Sequence, residues 1–215
     1  MSANKSSVKI IGDATDLFAQ GYFVYDSKKA GALTVSHFRF GPRLIRSTYL
    51  VRRADFVACH QFHFLERMDV LEVAGRGATF LLNSPYGPDE VWERLPVETQ
   101  CQVIDKGLRF FVVDAQNVAN EVGLGARINT VLQTCFFALA GILDQEEAIA
   151  RIKQAIEKSY GKRGKAVLEM NYAAVDKALE GLHEVNVPET VAGELHRLPP
   201  VSPEAPDFLQ RVTRR

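Results

Sequence analysis

Apolar residues at Val8, Ile11, Ala14 and Phe18 recur at helical spacing and predict a helix over Ser2 to Phe18. The pattern then shortens. Tyr22 to Tyr25 is an apolar strand, followed by the charged turn Asp26-Ser27-Lys28-Lys29 and the small-residue turn Ala30-Gly31-Ala32. A second strand alternates, with Leu33, Val35, His37 and Arg39 on one face and Thr34, Ser36, Phe38 and Phe40 on the other, and Gly41-Pro42 stops it. Five cations thus stand at strand ends or exits: Lys28, Lys29, Arg39, Arg43 and Arg46.

Farther on, Ala54 to Cys59 reads as a short buried strand and Gln61 to Leu71 as a helix. Gly75-Arg76-Gly77 is a turn, and Ala78 to Leu82 is a buried strand ending at Asn83-Ser84-Pro85. A short helix follows, with Pro88 in its first turn beside Asp89 and Glu90. Val97 to Lys106 is helical and Leu108 to Val113 is a strand. Asp114 then caps a helix over Ala115 to Val122, and Gly123-Leu124-Gly125 turns the chain.

Ile128 to Leu143 is apolar nearly all round, which predicts a core helix. Asp144 and Glu147 form a capping-box-like start to Gln145 to Tyr160, in which Ile149, Ile152 and Ile156 share a face. Gly161 to Gly164 interrupts the helices. Lys165 to Leu182 resumes, with Leu168, Val175, Leu179 and Leu182 aligned. Beyond His183 the pattern dissolves, and five of the nine prolines lie there. These elements predict a three-layer α/β/α open sheet with C-terminal helices and an extended proline-rich tail. The corresponding domains are 1–183 and a linker or tail over 184–215.

Composition narrows the function classes. Lys plus Arg equals Asp plus Glu at 26 each, so the net charge is zero, which argues against nucleic-acid binding through bulk positive charge. No apolar run approaches a membrane span, and the start MSANKSSVKIIGDATD carries no secretory core, so a cytoplasmic location is expected. Cys59, Cys101 and Cys135 are far apart, odd in number and set among apolar residues, as expected of reduced thiols.

Candidate chemistry is sparse. Cys59, His60, His63 and Glu66 resemble a ligand set, but the cysteine belongs to a strand and the histidines to the next helix, so their directions diverge. There is no Gly-x-Ser-x-Gly, no His-Glu-x-x-His and no intact Walker loop. Gly161-Lys162-Arg163-Gly164-Lys165 is basic but separates two helices. The turn Gly123-Leu124-Gly125-Ala126-Arg127 is better placed, because backbone amides and Arg127 at a helix start can hold an anion. Asn83 lies past a buried strand, at the kind of carboxyl edge where open α/β sheets bind ligands. From residues alone the chain is an α/β domain with a basic, glycine-punctuated edge suited to a phosphorylated ligand.

Six stretches extend this reading: YFVYDSKKAGALTVSHFRFGPRLIRSTYLV, ADFVACHQ, FLERMDVLE, GATFLLNSPY, GLGARINTVLQTCFFALAGIL and IEKSYGKRGKAVLEMNYAAVDKAL. Together they resemble the gamma domain of pyruvate:ferredoxin (flavodoxin) oxidoreductase, most closely its long single-chain form. The resemblance runs from about Ser2 to Thr213. It implies part of a thiamine diphosphate and iron-sulfur enzyme that converts pyruvate and coenzyme A to acetyl-CoA and CO2. Electrons pass to ferredoxin or flavodoxin.

For this domain the resemblance implies coenzyme A handling. Lys28 and Lys29 would hold phosphate with Ser27 beside them, Asn4 and Lys5 would add to the anion site, and Arg127 and Asn129 would follow. Thiamine diphosphate and 4Fe-4S clusters are expected in other parts of the intact enzyme. Partners would be those domains or subunits. The family's glycine-rich loop is expected before Ser2-Ala3-Asn4-Lys5, so the chain reads as shortened at both ends. An unpaired central strand edge there predicts either self-association into a homo-oligomer or a rearranged start. The alternative is a scaffold domain that packs against partners and has lost ligand binding.

Overall fold

The computed structural model describes residues 2–25, 34–46, 50–199, 201–202 and 204–213. Two units emerge. One comprises Met1–Ala54 and Asp114–Leu182, the other Asp55–Val113 and His183–Arg215.

In the first unit, helix α1 (Ser2–Ala14) precedes an antiparallel hairpin of β1 (Phe18–Tyr25) and β2 (Thr34–Gly41). The helix stops four residues short of Phe18. Thr15 donates its hydroxyl to the Ile11 carbonyl at 2.6 Å and accepts the Leu17 amide at 3.1 Å, so a side chain takes over the helical bonds and Phe18 pairs with Gly41 instead. Alternation places Phe23 and Phe38 on one hairpin face, edge to face at 6.2 Å. Phe38 also meets Phe136 at 6.4 Å. Gly21 favours the close approach of α1 to this face, because a Cβ there would stand 3.2 Å from a Val8 methyl.

Four further helices complete this unit: α4 (Ala115–Glu121), α5 (Asn129–Ala140), α6 (Gln145–Tyr160) and α7 (Lys165–Glu180). As the pattern predicts, Asp114 caps α4 by accepting the Asn117 amide at 2.9 Å. The expected capping box of α6 does not form. Asp144 makes no side-chain cap, and Glu147 pairs with Arg151 at 3.3 Å one turn ahead. α5 ends short of the predicted limit at Leu143, because Gly141 takes the left-handed path at φ 61° that terminates a helix. Ile10, Ile11, Phe137, Ala148, Ile152, Ile156 and Val175 form the core, with Ile149 and Leu168 packed against it. Its polar neighbours are satisfied: Thr130 donates to Asn171 at 3.0 Å, and Asn171 donates to the Val167 carbonyl at 2.8 Å.

The second unit holds a mixed sheet in the order β3 (Ala54–Cys59), β4 (Ala74–Asn83), β5 (Arg109–Val113), β6 (His183–Glu184). β4 and β5 run parallel, from Thr79 opposite Arg109 to Asn83 opposite Val113, and β6 lies antiparallel to β5. Phe80 and Phe110, opposite each other, stack at 5.0 Å. The α/β class with helices toward the C-terminus is therefore present.

Several local expectations change. β3 is only half buried, with Val57 and Cys59 inward, because it forms a sheet edge. Gly75-Arg76-Gly77 belongs to β4, where Gly77 takes φ 71° and Arg76 donates to the Asp105 carbonyl at 3.1 Å. Pro88 to Glu90 form a turn, so helix α2 spans Val91–Arg94; helix α3, Val97–Lys106, matches its prediction.

Gln61 to Leu71 is not a helix. After a 3-10 turn at Phe62–Phe64 it continues as turns. Leu65 and Leu71 are both fully buried, and their separation of six does not fit one helical face. The carbonyls of Leu65 and Glu66 accept Arg197 at 3.3 Å and the Leu198 amide at 2.7 Å, so a distant segment takes the place of helical donors. The tail also differs at its end, where helix α8 (Asp207–Thr213) follows Pro206 and carries an Asp207–Arg211 ion pair.

Candidate functional site

The predicted site residues of the first unit gather from three directions. Half-buried Asn4, near the start of α1, donates to the Ser36 hydroxyl of β2 at 2.8 Å. Lys5 beside it is exposed. One turn on, Ser7 accepts from Gln133 of α5 at 3.0 Å. One turn farther along both helices, Ile10 and Ile11 share a core cluster with Phe137. The contacts advance in the same sense, so α1 and α5 run parallel and their N-terminal ends face the same side. Asn129 opens α5 and Arg127 sits in the turn before it, both exposed. Gly123 and Gly125 take φ 79° and 58° in that turn, as a tight left-handed path requires.

The hairpin reaches the same side. Ser36 lies two positions from Thr34, which pairs with Tyr25 at the open end of the hairpin. Ser27, Lys28 and Lys29 fall within 26–33, outside the described residues. Of the other cations in this stretch, Arg39 is a mid-strand residue that donates to Gln20 at 3.3 Å, and Arg43 is exposed. Asn4 is thus tied to the hairpin two positions from its open end, and Asn129 lies one turn before Gln133, which bonds to Ser7 of α1. Parallel helix N-termini add partial positive charge on that side.

Asn83 belongs to the second unit, where its amide donates to the His60 carbonyl at 3.0 Å. β4, which ends at Asn83, and the hairpin strands β1 and β2 belong to separate sheets. Ser7, Ser36 and Gln133 escaped the sequence reading. Ser7 and Gln133 stand 126 residues apart, Ser36 and Asn4 stand 32 apart, and no local spacing marks them.

His37 accepts the Val51 amide on Nδ1 at 3.3 Å. Burial, helped by Arg39, holds its pKa below the ordinary 6.5, and burial does the same at His60. The folded chain therefore binds fewer protons than the unfolded chain as pH falls through that region. Stability is full above about pH 6.5 and declines below it. The urea midpoint should drop between about pH 7.5 and 5.5, and less so in a His37→Gln, His60→Gln chain; equal pH slopes in both would overturn this assignment.

Two of the three thiols are held in the protonated form by burial. Burial pushes Cys59 up to about 11 and Cys135 up to about 12. Cys59 donates to the Gln61 carbonyl at 3.2 Å. Cys101 is the partly exposed one of the three. A chromogenic disulfide reagent should modify Cys101 in the native chain and all three cysteines only after denaturation. Fast native labelling at Cys135 would contradict its burial. Among the described residues, no helix is long and apolar enough to cross a membrane.

The family model for pyruvate ferredoxin/flavodoxin oxidoreductase matches residues 2–181. The chain belongs to this family. It is 56% identical over 213 residues to a putative pyruvate-flavodoxin oxidoreductase of Synechocystis, covering 99% of this chain and 18% of that protein. It is 47% identical over 214 residues to the pyruvate:ferredoxin oxidoreductase of Moorella thermoacetica, covering 100% of this chain and again 18% of the relative. The chain thus spans about a fifth of the curated relatives it matches.

A pyruvate oxidoreductase subunit from Thermotoga maritima shares the fold, with a TM-score of 0.65 at 18% identity, over 86% of this chain and 90% of that one. So does a 2-oxoglutarate:ferredoxin oxidoreductase from Magnetococcus marinus, solved with 2-oxoglutarate, coenzyme A and succinyl-CoA bound (TM-score 0.60, 15% identity, 93% of this chain and 31% of that one). The fold thus occurs both as a domain of larger oxidoreductases and as a subunit of multi-subunit ones.

Proposed function

We propose that this chain is the coenzyme A-binding, gamma-type part of a pyruvate:ferredoxin (flavodoxin) oxidoreductase, active in the cytoplasm together with the enzyme's other domains or subunits. The intact enzyme would convert pyruvate and coenzyme A to acetyl-CoA and CO2 and deliver electrons to ferredoxin or flavodoxin. The observation that supports the reading is the pair of bonds that ties the start of α1 to its neighbours: Asn4 to Ser36, two positions from the open end of the hairpin, and Ser7 to Gln133, one turn after Asn129 in α5. Family membership supports it, and so does the coenzyme A bound to the Magnetococcus neighbour.

In this reading Lys28 and Lys29 take the nucleotide phosphates with Ser27. Charged N–H donors are suited to that, and water competes less where several converge. Arg127 offers a forked donor, and Asn4, Lys5 and Asn129 complete the anion site. The family match over 2–181 supports taking 1–183 as the catalytic-type domain and 184–215 as the segment that leads on.

Thiamine diphosphate and the 4Fe-4S clusters belong to the rest of the enzyme. Clusters are held by sets of Cys thiolates. This chain's three cysteines, two of them buried with raised pKa values, do not fit that role. The chain's own part is to bind and orient the thiol substrate, and it is inactive by itself. Calorimetric titration with coenzyme A tests this. Saturable heat is expected; none at millimolar ligand would leave the scaffold role in its place.

A further inference from the structure

The hairpin has a second face that no helix covers among the described residues. The register puts Phe18, Gln20, Tyr22 and Val24 of β1 on it, opposite Gly41, Arg39, His37 and Val35 of β2. The other face packs Phe23 and Phe38 toward Phe136 and brings Gly21 against Val8 of α1. On the open face Phe18 is 46% exposed, Tyr22 47%, Val24 42% and Val35 40%. Its polar residues are turned to local partners: Arg39 donates to Gln20, and His37 accepts the Val51 amide. What remains toward solvent is ring and methyl surface, where a solvated antiparallel sheet face ordinarily carries polar residues.

We propose that this face docks another domain of the same oxidoreductase through an apolar surface. The inference rests on the reading of the chain as one part of a larger enzyme. Size selects the occupant. The four side chains expose roughly 300–400 Å², within the roughly 300–600 Å² of the largest apolar patch on a typical soluble monomer, a patch that often serves a function. A stable complex between free partners covers about 800 Å² on each side, so the patch is too small to hold a second copy. Domains of one assembly bury as little as about 600 Å² in total, half on each side, and a tether supplies the rest through effective concentration. The equivalent sequence occupies 18% of its long relatives, so such neighbours are at hand.

Surface labelling of Tyr22 by iodination and of Phe18 by hydroxyl radicals, read by mass spectrometry, tests the proposal. The 215-residue chain alone is compared with the oxidoreductase assembly purified with it from its source. At least about fivefold protection of both residues in the assembly is expected, with exposed Leu44 on the loop after β2 as the internal reference. A V24D, V35D chain should keep its circular dichroism and its coenzyme A titration while entering the assembly about tenfold less or worse. An assembly in which Tyr22 labels as in the free chain overturns the docking face and leaves the family role standing. A chain that purifies with no other part of the enzyme overturns both. A free chain that dimerises with Tyr22 protected makes the occupant a second copy and overturns the one proposed.

Discussion

Titration of a K28A, K29A chain with coenzyme A should give no measurable heat where the unaltered chain binds. Each charge-assisted contact to phosphate contributes about 1.5–3 kcal/mol, so losing two weakens binding by roughly two to four orders of magnitude. An R127A change should cost about tenfold and K5A less, since Arg127 offers a forked donor and Lys5 is a single exposed ammonium. Matching circular dichroism spectra would show that the double change removes binding and not the fold. The effect should also be salt-dependent: about tenfold more salt should weaken the unaltered chain and barely move the double variant. Equal affinity in both chains would show that other cations hold the ligand. The parallel ends of α1 and α5 would then be the place to look, with Asn4 and Asn129 as the next substitutions.

A Gln100→Leu chain should unfold with about 3–5 kcal/mol less stability, a fall in Tm of roughly 10 °C. Gln100 is fully buried in α3. Its Nε2 lies 3.1 Å from the Trp92 carbonyl, 2.9 Å from that of Leu95 and 2.7 Å from that of Ala192. Its Oε1 accepts the Ala192 amide at 2.6 Å. The amide has fewer hydrogens than these acceptors, so one bond is shared, and no other side chain of that size meets both needs. Leucine fills the volume and strands every partner.

The effect reaches far along the chain. Residues 192–198 are strapped to the second unit by this amide, by the Val97 amide donating to the Leu195 carbonyl at 2.7 Å, and by Arg197, whose backbone amide meets Glu98 at 2.9 Å. Protease should therefore cut near residues 190–198 in the variant well before it does in the unaltered chain. A Tm within about 2–3 °C of the original would mean that the strap is held by its other bonds.

Much of the fold is legible in the sequence because its signals are local. Asp114 after the apolar run Leu108 to Val113 marks the start of α4, and the helix read over Val97 to Lys106 has those bounds in the structure. The alternation in β2 and the Val-Phe content of β5 leave little room for another structure. Expectation and structure part where a distant residue supplies the deciding bond. Gln61 to Leu71 carries a helix-like sequence, but residues 197 and 198 claim its carbonyls. At Phe18 the helical spacing is real, yet pairing with Gly41 outweighs it. For the site, charge beside turns picks out Lys28, Lys29 and Arg127. Ser36 and Gln133, which tie the three elements together, have no sequence mark.

What the chain determines by itself is its element types, its family and the cations available to a phosphorylated ligand, because caps, periodicity and charge act over a few residues. Tertiary structure alone decides that α1 and α5 run parallel, that Asn4 meets the hairpin, and which hairpin face is left bare. The two faces of β1 and β2 are almost equally apolar: Phe18, Tyr22 and Val24 on one, Phe23, Phe38 and Phe40 on the other. Alternation separates them but cannot choose between them. The choice falls to packing: α1 lies against the face that carries Gly21, where a Cβ would stand 3.2 Å from a Val8 methyl.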